Sequence, residues 1–476
     1  MEKKMNLTEI LEKNHQDSVL KALSALQGED RRKLEAQLQA INWEELPELI
    51  RDYVLNKPET EVPPDLKPAS YFPMHPAEGE QEILYEKALR EGARLLSEGK
   101  VAALTVAGGQ GTRLGFDGPK GTFPITPVLH KTLFQYFAES LLRAGEKFGS
   151  PIRWYIMTSE LNNKATQDFF VSNGFFGMPR EQVRFFTQGT MPAITYEGKL
   201  LMAEKNSLAL APDGHGGTLL ALRKSGALEE MKRLGIEYLS YFQVDNPLVP
   251  VVDPLFLGLH FLEQSQMSCR MLPKTNPGEK LGNFCVSGGR LQIIEYSDMP
   301  AELAERRKPD GSLDFIAGSP AIHVISRDFV EELTADGRLK LPWHRADKKV
   351  GYLDENGNFV KPDAPNAVKL ESFIFDALPL AERTMVLEGC RAEHFAPTKN
   401  QTGVDSVESC RAMLVARDAR RMELAGISVP RKEDGSPDCL VELSPRSVFD
   451  DEDAVVFFRE HPAASPAPGS RTAYGK

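Results

Sequence analysis

The sequence has few cysteines, no long apolar run and no excess of positive charge. Its five cysteines in 476 residues form no C-x-x-C pair, which argues against a disulfide framework or a structural zinc site and favours free thiols, mostly in the core. No apolar run reaches the roughly 18 residues that a membrane-spanning helix needs. The N-terminal residues become charged before an apolar signal region develops, so we expect no membrane partner and a cytoplasmic protein.

The formal net charge of −11 disfavours extended contact with nucleic acid, because neutralising a phosphate backbone needs a basic face. Any phosphorylated ligand should therefore be small and bound by a few local cations. A chain of 476 residues also exceeds one ordinary hydrophobic core, which indicates two or three domains.

Sequence patterns divide the chain into four stretches. Residues 1–98 form a helical region, with two or three helices in the first 57 residues and an extended, unpacked Pro-rich connector, KPETEVPPDLKPASYFPMHP, at 57–76,. Residues 99–384 form the main α/β domain, 385–458 a small C-terminal domain, and 459–476 a flexible tail, whose composition is a poor core former,.

The main domain alternates strand-like and helical runs from VAALTV (101–106) to IEYLSYFQVDN (236–246). Such alternation predicts a mostly parallel sheet with helices on its faces. In NFCVSGGRLQIIEYS (283–297) two period-2 runs flank Ser287-Gly288-Gly289, which predicts an antiparallel hairpin. The expected fold class is therefore α/β, with a mixed sheet flanked by helices.

A loop with six glycines, AGGQGTRLGFDGPKG (107–121), directly follows the first strand-like run. It departs from the dinucleotide fingerprint, because Leu114 stands where the third glycine should be, and its Lys120 follows Pro119 rather than a Walker spacing,. Glycines allow backbone N–H groups to face an anion. With Arg113 and Lys120 nearby, the loop is typical of a triphosphate site.

The segment A-G-G-Q-G-T-R-L-G followed by P-K-G resembles the UTP-dependent sugar-1-phosphate uridylyltransferases, and most of all the eukaryotic-type UDP-N-acetylglucosamine pyrophosphorylases. The resemblance continues in order from about residue 38 to 445 through further motifs: LQAINWEEL (38–46), KTLFQ (131–135), WYIMTS (154–159), QGTMPA (188–193), APDGHGG (211–217), VDNPLV (244–249), KTNPGEKLG (274–282), IIEYSD (293–298), KPDAPNAVKLESFIFD (361–376), FAPTKN (395–400) and ELSP (442–445).

The resemblance implies a GT-A or Rossmann-like nucleotidyltransferase fold in which a sugar 1-phosphate attacks the α-phosphorus of UTP and pyrophosphate leaves. It implies a Mg²⁺ cofactor held by Asp245, which follows an apolar run and so lies at the carboxyl end of a strand,. The catalytic cations are then Arg113 and Lys120 at the β- and γ-phosphates, with Lys369 and Lys399 near the α-phosphate and the sugar phosphate.

The resemblance also assigns residues to the nucleotide and the sugar. The nucleotide-binding residues are Val106, Ala107, Gly108, Gly109, Gln188 and Gly214, of which Gln188 and the Gly214 backbone bind the uracil edge and favour UTP over CTP. The sugar-binding residues are His215, Glu295, Tyr296 and Ser319.

Two of these positions depart from the N-acetylglucosamine enzymes, which usually have asparagine at the positions of His215 and Ser319. N-acetylglucosamine 1-phosphate is the favoured acceptor, but the departures keep open a glucose or galactose 1-phosphate uridylyltransferase or a broad UDP-sugar pyrophosphorylase. A non-catalytic nucleotide-sugar sensor and a nicotinamide oxidoreductase are alternatives from other classes. The presence of Arg113, Lys120, Asp245 and Lys399 together argues against the sensor. The expected assembly is a monomer or a weak homo-oligomer.

Overall fold

The computed structural model describes residues 6–57, 62–354 and 356–475. Its α-helices are, in chain order, α1 (Leu7–Lys13), α2 (Asp17–Ala25), α3 (Gly28–Ala40), α4 (Leu46–Leu49), α5 (Glu80–Ser97), α6 (Leu133–Phe148), α7 (Asn163–Ser172), α8 (Gly217–Lys224), α9 (Ala227–Leu234), α10 (Pro254–Leu262), α11 (Ala301–Ala304), α12 (Arg327–Leu333), α13 (Arg391–His394), α14 (Val407–Leu424) and α15 (Asp451–Glu460).

The strands range from two to seven residues in length. They are β1 (Lys67–Pro68), β2 (Val101–Val106), β3 (Arg153–Thr158), β4 (Val183–Thr187), β5 (Thr190–Pro192), β6 (Ile194–Thr195), β7 (Met202–Glu204), β8 (Ser207–Leu208), β9 (Leu210–Pro212), β10 (Tyr238–Gln243), β11 (Met267–Pro273), β12 (Gly282–Ser287), β13 (Arg290–Ile294), β14 (Ala317–Ser319), β15 (His323–Ser326), β16 (His344–Lys348), β17 (Tyr352–Leu353), β18 (Phe359–Val360), β19 (Ala367–Glu371), β20 (Thr384–Glu388), β21 (Leu440–Leu443) and β22 (Arg471–Tyr474).

The chain folds into two compact units. The helical unit comprises residues 1–61, 188–220 and 339–376, and the sheet unit comprises residues 62–187, 221–338 and 377–476. The four-part linear division expected from the sequence concerns domain boundaries along the chain and stays a prediction.

The sheet unit contains the main sheet, with strand order β1-β12-β14-β11-β15-β10-β2-β3-β4, β13 added to β12 and β20 to β11. Strands β10, β2, β3 and β4 run parallel to one another, whereas β15 is antiparallel to both β10 and β11. Strands β12 and β13 form the hairpin around Gly288. The mixed sheet and the hairpin predicted from the sequence are both confirmed. The expectation of a mostly parallel sheet was wrong: β10, β2, β3 and β4 pair in parallel, as does β20 with β11, but the other six pairings of the main sheet are antiparallel.

Burial explains why the first strand lies in the centre of this sheet. Residues 101–105 of β2 are all buried, as expected for a parallel strand covered on both faces. Helix α6 packs on the same core through Leu133, Phe134 and Phe137, and the Thr132 side chain accepts from the Gln135 N–H to cap its first turn,. The loop after β2 therefore begins at the end of a buried, rigid strand.

The helical unit packs α1–α3 against a three-stranded antiparallel sheet of order β16-β19-β6. Its core joins Leu11, Leu23 and Leu38 of the helices to Val368 and Leu370 of β19. Buried Gln16 ties the two layers together, because its side chain donates to Gly198 O and accepts from Leu200 N.

Three sequence expectations about the chain ends need correction. The first 57 residues contain α1–α3 and also the single turn α4, which continues into a π-helix at Ile50–Leu55, so two or three helices was an undercount. The connector is extended but packed: β1 pairs with β12, and Phe72 N donates to Val386 O at 2.9 Å. A proline-rich segment can pair in this way because it lies at a sheet edge. Connector residues 58–61 lie outside the described residues.

The tail is the third correction. Residues 471–474 form β22, which pairs in parallel with β21, and Tyr474 packs on Phe458 with ring centroids 5.3 Å apart. The flexible tail was therefore a wrong prediction for this segment. The proline-rich stretch before it dominates the composition and hides a short strand that completes a C-terminal apolar cluster.

Two other expectations can be compared with the structure. The five cysteines are free, and four of them are buried, which confirms the assignment as core thiols. Among the residues that the structure describes, no helix is both long and apolar enough to cross a bilayer.

Candidate active site

The central parallel strands β2 and β10 end at the same edge of the main sheet. Val106 and Gln243 are register partners, and the Val244 N–H donates to Val106 O at 3.1 Å. The glycine loop 107–121 begins one residue after β2, and Asp245 lies two residues after β10. The carboxyl ends of parallel strands are where open α/β sheets place their ligands, so the fold brings the predicted phosphate loop and the predicted metal ligand together.

The loop folds back on itself. Gly111 N donates to Gly118 O at 2.9 Å and Lys120 N donates to Gly109 O at 3.0 Å. By contrast, nothing in the described ranges 6–57, 62–354 and 356–475 accepts a hydrogen bond from the N–H groups of Gly108, Gly109 and Gln110. Three successive N–H groups on a partly exposed loop are therefore available as donors to an anion.

Lys120 and Asp245 form an ion pair across this edge. Lys120 Nζ lies 3.2 Å from Asp245 Oδ2, and the two side chains are only 16% and 12% exposed. The predicted phosphate-binding lysine and the predicted metal ligand therefore share one partly dehydrated location, where electrostatic forces are stronger than in bulk water.

The segment that carries Lys399 is attached to the same strand end. Thr398 N donates to Asp245 O at 2.8 Å. The buried Asn246 side chain donates to His394 O and accepts from Ala396 N, both at 2.8 Å. Sequence analysis gave Asn246 no role; only its position in the VDNPLV motif indicated one.

The remaining predicted cations are Arg113, Lys369 and Lys399. Arg113 is exposed and Lys399 half-buried in the sheet unit, and Lys369 is half-buried on β19 of the helical unit. None of the three forms an ion pair with any residue that the structure describes. Unpaired cations on otherwise acidic proteins are suited to binding an anion.

In the helical unit, Gln188 and Gly214 are in direct contact. Gln188 Nε2 donates to Gly214 O at 2.8 Å. Gly214 has a φ of +85°, and a Cβ there would lie 2.2 Å from Ser372 O, so only glycine fits this close approach. The structure thus brings together the two residues that the resemblance assigns to the uracil.

His215 follows directly and accepts a hydrogen bond on one ring nitrogen. The Ile374 N–H donates to His215 Nδ1 at 3.2 Å. Burial, with a smaller contribution from nearby His344, lowers the pKa of His215 to about 4. The ring is therefore neutral at physiological pH, with Nδ1 as the acceptor and Nε2 carrying the proton, so that Nε2 can donate to a ligand.

An aromatic stack beside His215 was missed by sequence analysis. His344 stacks on Phe373 with centroids 4.4 Å apart, and Phe373 stacks on His215 at 5.3 Å. His344 Nε2 lies 2.7 Å from Asp376 Oδ2, which orients the outer ring. The two aromatic side chains of the KLESFIFD motif were the available signal, but their spacing alone is equally typical of a core strand.

The other predicted sugar residues lie along one row of the main sheet. Gly282 on β12 is the register partner of Ser319 on β14, and a Cβ at Gly282 would lie 3.5 Å from Glu295 Oε1. Glu295 and Ser319 therefore flank the same glycine. Tyr296 is 44% exposed and its ring lies at the surface.

A glycine-rich loop with unbonded N–H groups and a strand-end carboxylate paired with a lysine, at the edge of a mixed α/β sheet, are the features expected of a nucleotidyltransferase. The chain belongs to the UTP–glucose-1-phosphate uridylyltransferase family, whose model matches residues 68–454. Both the family resemblance and the fold class expected from the sequence are confirmed, as is the expectation of an enzyme of the uridylyltransferase type.

The chain is similar to several named proteins over most of its length. It is 34% identical to UDP-N-acetylhexosamine pyrophosphorylase-like protein 1 of Homo sapiens, over 96% of this chain and 95% of that protein. It is 37% identical to UDP-N-acetylglucosamine diphosphorylase 2 of Arabidopsis thaliana, over 76% of this chain and 73% of that protein. The structure of the Trypanosoma brucei UDP-N-acetylglucosamine pyrophosphorylase, solved with an inhibitor, shares the fold with a TM-score of 0.80 at 23% identity, covering 99% of each chain.

The hydrogen bond and the pKa of His215 give a direct prediction. In protein labelled with ¹⁵N-histidine, we expect the His215 ring to titrate with a midpoint of about 4 and to be the Nε2–H tautomer at pH 7, because Nδ1 accepts from the backbone. Comparison with His215→Gln identifies the resonance. A midpoint above 6, or an Nδ1–H tautomer at neutral pH, would contradict the described environment.

Proposed function

We propose that this protein transfers the uridylyl group of UTP to N-acetylglucosamine 1-phosphate, giving UDP-N-acetylglucosamine and pyrophosphate. The observation that supports it most is the pairing of Lys120 with Asp245 beside three unbonded loop N–H groups, in a chain of the uridylyltransferase family. The relatives named for N-acetylhexosamine or N-acetylglucosamine support the acceptor.

The chemistry requires positioning and charge neutralisation rather than a general base. The phosphate oxygen of a sugar 1-phosphate is already an anion at neutral pH, so it can attack the α-phosphorus without losing a proton. As the bond to the β-phosphate oxygen breaks, negative charge develops on the departing pyrophosphate. In our proposal Arg113, Lys120 and the N–H groups of Gly108 and Gly109 neutralise that charge, while Lys369 and Lys399 bind the reacting phosphates.

The chain offers a fitting ligand for Mg²⁺. Among the described residues, no group of three or more His, Cys, Asp and Glu side chains could hold a metal by itself. Mg²⁺ commonly takes one or two carboxylates and completes its octahedron with substrate phosphates and water, so Asp245 at a phosphate site suits it. When bound, the ion would neutralise phosphate charge and orient the phosphate oxygens.

The uracil recognition that we propose uses the contact in the helical unit. Gln188 donates its amide to Gly214 O, which leaves its Oε1 to accept from the uracil N3–H. Cytosine lacks that proton at N3, so CTP would leave an acceptor facing an acceptor. An unpaired buried polar group of this kind costs about 1–3 kcal/mol.

The acceptor sugar would be bound by hydroxyl and carboxylate contacts. Glu295 can accept from two hydroxyl groups, the Ser319 hydroxyl can donate or accept, and His215 Nε2 can donate. Tyr296 offers an exposed ring to the sugar face. Because Ser319 is short, glucose or galactose 1-phosphate is the second candidate acceptor, and the same residues serve it without an acetamido contact.

Incubation with UTP, Mg²⁺ and a panel of sugar 1-phosphates tests the proposed reaction. We expect pyrophosphate release to be fastest with N-acetylglucosamine 1-phosphate, and slower with glucose and galactose 1-phosphates. CTP in place of UTP should react at least about fivefold more slowly, given the unpaired uracil-edge acceptor. Turnover with glucose 1-phosphate and none with the acetamido sugar would reject the acceptor, and no pyrophosphate with any sugar would reject the reaction.

Removal of either member of the Lys120–Asp245 pair should slow the chemical step. We expect Lys120→Ala and Asp245→Ala each to lower kcat by about 100-fold or more, the scale of losing one preorganised charge at a transition state. Lys100→Ala is the matched control, because Lys100 pairs with Glu237 at 2.7 Å next to the opposite ends of β2 and β10. A loss of tenfold or less at both site residues would contradict their roles.

Lengthening Ser319 should change the choice of sugar. We expect Ser319→Asn to raise the rate with N-acetylglucosamine 1-phosphate relative to glucose 1-phosphate, because the amide reaches further and can donate to an acetamido carbonyl. Ser287→Asn controls for a general effect of the substitution, because Ser287 lies at the opposite end of β12 from Gly282, the register partner of Ser319. An unchanged ratio would mean that Ser319 does not contact the sugar.

A further inference from the structure

Two buried polar side chains after β3 donate hydrogen bonds to carbonyl groups of the glycine loop 107–121. Ser159 Oγ donates to Gly108 O at 3.0 Å. Asn162 Nδ2 donates to Ala107 O at 3.0 Å and to Gly109 O at 3.3 Å. Three successive carbonyls of the loop are thus hydrogen-bonded to one neighbouring turn, while the N–H groups of Gly108, Gly109 and Gln110 are bonded to nothing in the described part of the chain.

Asn162 bonds the loop carbonyls instead of capping the helix that follows it. It occupies the N-cap position of α7, where asparagine normally accepts from the first helical N–H groups, yet its side chain makes no such bond. Its Oδ1 accepts from Ser159 N at 2.9 Å, and it is 0% exposed. The amide orientation is fixed by these partners, because a flipped amide would place its NH₂ group against the Ser159 N–H.

We propose that Ser159 and Asn162 are positioning residues for UTP, which fix the loop carbonyls so that the N–H groups of residues 108–110 face the phosphates before the nucleotide arrives. This inference rests on the proposed function, because it needs UTP to bind at the loop. A peptide plane whose carbonyl is held on one side presents its N–H on the other. We call Ser159 and Asn162 the carbonyl clamp, because they orient the donors without contacting the ligand.

The physical advantage is preorganisation. A free glycine-rich loop samples many backbone conformations, and ordering it on binding would reduce the affinity. With the carbonyls already bonded, this entropy cost is met during folding, and the donors meet the phosphates without reorganisation. The clamp should therefore act on UTP and leave the sugar phosphate almost unaffected.

Calorimetric titration of Ser159→Ala and Asn162→Ala with UTP tests the inference. We expect the UTP dissociation constant to rise about threefold to tenfold in Ser159→Ala and about tenfold or more in Asn162→Ala, since one and two hydrogen bonds to the loop carbonyls are lost. The KM for the sugar 1-phosphate should change less than twofold. Ser159→Thr keeps the hydroxyl and should restore most of the UTP affinity.

Ser140→Ala is the matched control. Ser140 is 8% exposed, as is Ser159, and its hydroxyl also donates to a backbone carbonyl, Tyr136 O at 2.8 Å, but in helix α6. We expect its UTP affinity to equal that of the wild-type protein. In the two clamp variants alone, hydrogen–deuterium exchange of the peptide covering residues 107–121 should accelerate before UTP is added.

These measurements distinguish a failure of the proposed function from a failure of the positioning role alone. Failure of the wild-type protein to bind UTP would overturn the proposed function. Normal UTP affinity in Ser159→Ala and Asn162→Ala, or an equal loss for both substrates together with a lower Tm, would overturn the positioning role and leave the function intact. If Asn162→Ala does not fold, Ser159→Ala with its threonine and Ser140 controls still decides the question.

Discussion

The Lys120–Asp245 ion pair is the interaction on which the candidate site depends. Under the proposed function the site has to bring together two phosphorylated molecules that repel each other, in a chain whose net charge is −11. Local positive charges must therefore attract the phosphates, because the net negative charge of the chain repels them. A lysine and a carboxylate 3.2 Å apart and mostly buried would then bind a phosphate and a divalent cation at adjacent strand ends, where low exposure limits screening by water and salt.

The parallel alignment of β2 and β10 fixes this geometry, and hydrogen bonds extend it outward. The register that pairs Val106 with Gln243 sets the glycine loop beside Asp245 before any ligand is present. Asn246 then binds the segment leading to Lys399, while Ser159 and Asn162 bind the loop itself. Each of these polar groups is buried and paired, which makes the arrangement rigid as well as specific. The backbone segments that carry the donors and Lys399 are thus held by buried side-chain hydrogen bonds at the ends of β3 and β10.

The sequence was sufficient for the elements whose period and punctuation are local. Alternating apolar runs predicted β2, β3 and β10 with their helices, and Ser287-Gly288-Gly289 predicted the hairpin. It failed where partners lie far along the chain. Strand β22 pairs with β21 about 30 residues earlier, and β1 pairs with β12 more than 200 residues later, so neither has a local signal. Asn162 was missed for the same reason, since an asparagine before a helix is ordinarily a cap, and only the fold shows its carbonyl partners.

The residues proposed to bind the sugar show why proteins of one fold can differ in acceptor specificity through a few atoms. Under the proposed function Glu295 would accept from hydroxyl groups of any hexose, so it would contribute affinity without distinguishing an acetamido group from a hydroxyl. That choice falls to residues that can reach the second carbon of the sugar, and there a serine and an asparagine differ by the length and donor of one amide. A site built to hydrogen-bond a group rejects an analogue lacking it far more strongly than an apolar pocket rejects an extra atom. His215, held neutral with its Nδ1 occupied by the Ile374 N–H, has a single ring proton to offer. A single proton donor can bond a hydroxyl or a carbonyl equally well, so under the proposed function acetamido specificity would be decided at Ser319.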